Sequence, residues 1–119
     1  MSMIDKKNII LAFGNKEFNN SLIELKEYLT FKLKTTDDFK DLGSLENYQG
    51  LIIHEDALQD KSLNDIIKDD NISKIVFHNS INIPETENIE KLTLPASIDQ
   101  INNIVVNNIV KKDLKLTLP

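Results

Sequence analysis

The sequence predicts an α/β fold on a five-stranded parallel sheet, and three observations carry that expectation. Three short runs, Ile9–Phe13, Leu51–His54 and Ile75–His78, are apolar almost without a break. Two others, Phe31–Thr35 and Lys91–Leu94, alternate apolar with polar or charged residues. Segments with helical spacing lie between them. A strand covered on both faces reads as a continuous apolar run, whereas an edge strand tolerates alternation. The first, third and fourth strands are therefore expected inside the sheet, and the second and fifth at its rims.

Each element has a local reason. Ile9–Phe13 is the first strand, Gly14-Asn15 a turn, and Asn15 a candidate N-cap. Phe18, Leu22, Leu25 and Leu29 recur at spacings of four, three and four, which makes one helical face. Glu17, Lys26 and Glu27 fall mainly off it. In Phe31–Thr35, Phe31 and Leu33 share one face, and Lys32 and Lys34 on the other discourage edge-to-edge pairing. A weak helix is expected over Asp37–Leu42, stopping near Gly43. Gly50–His54 is the third strand. Ser62 begins a short helix that turns Leu63, Ile66 and Ile67 inward, and Ile72–His78 holds the fourth strand. Asn79–Asn88 reads as loop with Pro84 inside it, and Lys91–Leu94 as the fifth strand. Pro95-Ala96-Ser97 leads into the last helix, where Ser97 and Gln100 match a capping box. Ile98, Ile101, Val105 and Ile109 form its buried stripe, with Ile104 beside it.

Composition narrows the function classes. A chain of 119 residues, 40% hydrophobic and 28% charged, suits one globular domain. Its net charge of −5 disfavours phosphate backbones. All 14 basic residues are lysine, so the residue best suited to bidentate phosphate or guanine recognition is absent. With no cysteine, disulfides, thiolate catalysis and Cys-ligated zinc are excluded. No apolar run is long enough to span a bilayer, and the start leads straight into a core strand, so a cytoplasmic protein is the expectation. The glycines are Gly14, Gly43 and Gly50, too far apart for a phosphate-cradling loop. No serine sits in a nucleophile elbow.

One repeat stands out. Lys91-Leu92-Thr93-Leu94-Pro95 recurs unchanged as Lys115-Leu116-Thr117-Leu118-Pro119. Chance in a biased composition accounts for it; so does a tail that imitates the fifth strand and pairs with a sheet edge on a neighbouring molecule.

Strands two and five at the rims match the flavodoxin-like order 2-1-3-4-5. At Ile9–Phe13, Leu51–Glu55, Ile75–Asn79 and Leu92–Pro95 the chain resembles the receiver domain of two-component response regulators. The resemblance covers residues 1–112 and leaves 113–119 as a tail or the start of a linker. It implies a phospho-acceptor pocket, and in this sequence that pocket is degenerate. Phe13 and Gly14 replace the acidic pair after strand one, and Glu55 stands at the phospho-acceptor position. Asn79 takes the hydroxyl position, and Leu94 stands for the lysine before the retained Pro95. Phosphoryl transfer to a carboxylate needs a magnesium ion held by carboxylates, and that seat is gone. The shortened stretches before and after Asn79 predict a trimmed third helix and a fourth that is short or missing.

The expectation is a non-enzymatic pseudo-receiver for signalling or dimerisation, with no cofactor and no metal. Glu55 reads either as a fixed imitation of the charged state or as a solvated carboxylate at a strand end. His54 and His78, with Glu55 and Asp56 near, suggest a metal site only weakly, since adjacent strand positions face opposite ways; half-buried structural histidines are expected. The acidic pairs Asp37-Asp38 and Asp69-Asp70 read as solvated charge. Val106 and Val110 lie away from the buried stripe, on the helix such domains often use to dimerise. Partners are expected to be a protein or a second copy, with no membrane, and DNA only through a further domain of a transcriptional regulator. A small-molecule-binding cleft at the strand ends, lined by Phe13, Gly14, His54, Glu55 and Asn79, is the alternative.

Overall fold

The computed structural model describes residues 9–37, 48–69, 72–79 and 89–110. Five parallel strands form one sheet in the order β2-β1-β3-β4-β5, the flavodoxin-like arrangement. They are β1 (Ile9–Phe13), β2 (Lys32–Thr36), β3 (Gly50–His54), β4 (Lys74–His78) and β5 (Glu90–Thr93). The continuous apolar runs became the interior strands: every residue of β3 is buried, while β2 and β5 contain only half-buried and exposed residues. Among the described residues three α-helices cover the sheet: α1 (Lys16–Glu24), α2 (Asn64–Lys68) and α3 (Ile98–Val105).

The sheet faces two cores. On one, Ile10, Ala12, Ile52, Ile75 and Phe77 pack under Leu22 of α1 and Ile101 and Val105 of α3. Phe18, Leu25 and Leu29 join that layer. On the other, Leu11, Phe13, Leu51, Ile53 and Val76 pack with Leu63, Ile66 and Ile67 around α2. The alternation of these sets along each strand is the period-two rule at work.

Several boundaries differ from expectation. The second strand starts at Lys32 rather than Phe31, and the fifth covers Glu90–Thr93 rather than Lys91–Leu94. The first helix ends at Glu24 and passes into a 3-10 turn, Lys26–Tyr28. The cause is tertiary: Asn102 of α3 donates to Tyr28 O at 3.0 Å and accepts from Thr30 N at 2.9 Å. Those bonds hold the chain out of the helix and turn it toward β2. The short helix expected from Ser62 is a 3-10 turn, Lys61–Leu63, running into the five-residue α2, and a further 3-10 turn, Glu55–Gln59, precedes it. Lys74 is buried, its ammonium donating to Asp69 O at 2.7 Å and Ile72 O at 2.9 Å. The helix expected over Asp37–Leu42, the loop to Asn88 and the tail beyond Val110 lie outside the described residues, beyond Asp37 and Asn79 themselves.

The last helix follows its sequence signals closely. Ser97 Oγ accepts from Gln100 N at 3.1 Å, and Gln100 Oε1 accepts from Ser97 N at 2.8 Å. We expect Ser97→Ala to cost about 1 kcal/mol in urea unfolding; an unchanged midpoint would show that the box contributes nothing. After Val105 the helix widens into a π turn, Val106–Val110. That turn lays Ile109 onto Gly50: a Cβ on Gly50 would sit 2.6 Å from Ile109 Cδ1. Val106 is half-buried, and the Val110 side chain lies outside the described residues.

Candidate functional site

In doubly wound sheets the chemistry gathers beyond the carboxyl ends of the strands, where the strand order reverses. Here that point lies between β1 and β3. The chain leaves β1 through Gly14, whose φ of 120° is one that residues with a side chain rarely adopt. Gly14 also lies against β3: a Cβ there would meet His54 Cβ, N and O at 3.0 Å. Asn15 then caps α1, its Oδ1 accepting from Phe18 N at 2.9 Å.

The same Asn15 side chain crosses the crevice. Its Nδ2 donates to Asp56 Oδ2 at 2.6 Å, joining the loop after β1 to the loop after β3. His54 is 9% exposed. Its ring packs against Phe18 with centroids 5.0 Å apart, and Phe18 in turn meets Phe77 edge-on at 5.5 Å. His54 Nδ1 accepts from Asp56 N at 3.1 Å, which caps the turn that begins at Glu55. A nitrogen that accepts carries no proton, so in this arrangement the imidazole donates only from Nε2. The histidine therefore acts as a structural cap, more deeply buried than the sequence suggests.

Glu55 makes the next link. Its Oε2 accepts from Asn79 N at 2.5 Å, tying the end of β3 to the end of β4. A carboxylate accepting a backbone N–H makes one of the stronger classes of hydrogen bond. One strand further, Leu94 N donates to His78 O at 2.6 Å, just before the cis Leu94–Pro95 peptide. On the other side, Asn19 of α1 donates to Thr36 O at 3.0 Å and to Asp37 Oδ1 at 3.2 Å, holding the end of β2. All five strand ends are thus stitched to neighbouring segments by short polar contacts.

The structure brings together only part of the predicted pocket. Gly14, Glu55 and Asn79 lie at the strand ends with His54. Phe13 does not line a cleft: it is fully buried in the core on the α2 side. Leu94 packs toward the opposite core, beneath α3, and Pro95 is exposed. His54 pairs in register with Phe77, so His78 projects from the other face of the sheet, and the two histidines do not converge. Among the described residues no group of three or more acidic, histidine or cysteine side chains is placed to hold a metal. Asn19 and the bridging side of Asn15 were missed in the sequence, where an asparagine on a helix face gives no sign of what it meets. No family model, curated protein or solved structure matches the chain.

Proposed function

We propose that this protein is a non-enzymatic regulatory module of receiver type, acting through a protein surface with no phosphorylation switch. One observation carries the reading. The carboxylate at the phospho-acceptor position, Glu55, is already bonded to the backbone N–H of Asn79, the residue at the hydroxyl position. A side chain belonging to the chain thus makes the connection between the third and fourth strand ends that a switchable pocket would make conditionally. Glu55 acts as a permanent charge there, and the module stays in one state.

The surroundings support this. Phe13 and Gly14 offer no carboxylate for a divalent cation, and Leu94 no cation for phosphoryl oxygens. Asp56, the other nearby acid, is engaged by Asn15 and the Asp56 backbone by His54. The bridged crevice gives the small-molecule reading no comparable observation.

Incubation with acetyl phosphate and magnesium, followed by intact mass measurement, is expected to show no phosphoryl adduct. Glu55→Asp alone is expected to remain unmodified too, because the metal seat is still lacking. Magnesium-dependent phosphorylation of either chain would overturn the proposal.

A further inference from the structure

The cap made by His54 cannot survive a proton. With Nδ1 accepting from Asp56 N at 3.1 Å, the neutral ring carries its single proton on Nε2. The nitrogen left to take up a proton from solvent is therefore Nδ1 itself. Protonation there sets one donor against another, and the Glu55–Gln59 turn loses its N-terminal cap.

A second partner stands close to the same nitrogen. Asp56 Oδ2 lies 3.6 Å from His54 Nδ1, and that oxygen already accepts from Asn15 Nδ2 at 2.6 Å. Both donors would make a charge-assisted bond to the carboxylate, but only the imidazolium adds the attraction of a full positive charge. Protonation of His54 therefore draws Asp56 away from Asn15. The rest of the ring's surroundings leave this exchange unopposed. From α1 it meets Phe18, from β4 its register neighbour is Phe77, and Gly14 of the β1 turn lies against its backbone. None of these ionises. Glu55, the other acid of the turn, is bonded to Asn79 N. Lys16 and Glu17, the charges that open α1 beside Asn15, are exposed, where salt and solvent screen them.

We propose that His54 is a proton-operated latch on the crevice between β1 and β3. Neutral, it fastens the turn after β3 and leaves Asp56 to Asn15, so the two loops are joined. Protonated, it frees the Asp56 N–H, takes the Asp56 carboxylate and releases Asn15, so the link between the loops opens. Histidine is the side chain whose charge changes between about pH 5 and 8, so the latch responds to acidification. It is closed above the midpoint of the histidine and open below it. The Glu55–Asn79 bond joins β3 to β4 and does not involve the imidazole. The inference is therefore independent of the phosphorylation reading.

Nitrogen-15 NMR on the full chain tests it. At high pH the His54 ring is expected to carry its proton on Nε2. On acidification, the Asp56 N–H and the Asn15 side-chain amide should shift with the midpoint of the His54 ring. Exchange of the Asp56 amide, corrected for its intrinsic pH dependence, should become at least about five-fold faster, the effect of one lost backbone hydrogen bond. Exchange at Asn79 should stay level across the same range. His54→Asn keeps an oxygen acceptor at the cap position and removes the titration; it is expected to abolish the pH response at Asp56 over that range. The measurements on the unaltered chain stand whether or not this variant folds. A neutral ring with its proton on Nδ1, an Asp56 amide indifferent to the histidine midpoint, or equal acceleration at Asn79 would each overturn the inference. So would a pH response that persists in His54→Asn.

Discussion

Replacing Gly14 by alanine is expected to cost about 2–4 kcal/mol of stability. Two independent penalties add at this position. The φ of 120° belongs to a region that a residue with a Cβ occupies only under strain. The new methyl would also stand 3.0 Å from the backbone N and O of His54, and those atoms sit in the central strand and cannot retreat. Relief requires β1 and β3 to separate at their carboxyl ends, where Asn15 and Asp56 are joined. The variant should therefore lose the Asn15–Asp56 bridge together with global stability. Urea unfolding gives the first quantity, and amide exchange at Asp56, whose N–H is held by His54, gives the second. A loss below about 1 kcal/mol would mean that the turn relaxes freely and that the strand ends are not locked.

The contact between Ile109 and Gly50 gives the second large effect. Ile109 is 1% exposed, and its truncation to alanine should cost about 2–5 kcal/mol, as for other buried aliphatic side chains. Gly50→Ala should cost about 1–3 kcal/mol for the opposite reason, overpacking. Its Cβ would meet Ile109 Cδ1 at 2.6 Å and Cγ2 at 2.8 Å. The pair is expected to be non-additive: in Gly50→Ala with Ile109→Ala the new methyl enters the space the isoleucine leaves. A double-mutant cycle should return a favourable coupling of about 1 kcal/mol or more. Simple additivity would show that the π turn does not seat Ile109 against β3.

These positions show where local sequence is informative. Interior strands were readable because burial on both faces demands apolar residues at every position. Ile9–Phe13 and Gly50–His54 accordingly have the bounds that their composition predicts. The start of α3 was readable because a capping box lies within four consecutive residues, Ser97 to Gln100. The end of α1 was not. Leu25 and Leu29 keep helical spacing and still pack on the core, but the backbone leaves the helix because Asn102, far along the chain, binds Tyr28 and Thr30. The pocket was half readable. The replacement of acids by Phe13 and Gly14 is visible in the sequence; that Phe13 faces the α2 core follows only from the register of β1.

By itself the sequence determined the fold class, the strand order and the absence of carboxylates after β1, because burial patterns and residue identities are local properties. Tertiary structure alone decided that Glu55 reaches the Asn79 backbone, that Asn15 spans to Asp56, and that Ile109 seats on Gly50. Each of those contacts joins residues distant along the chain, and only the packed sheet sets the distance between them.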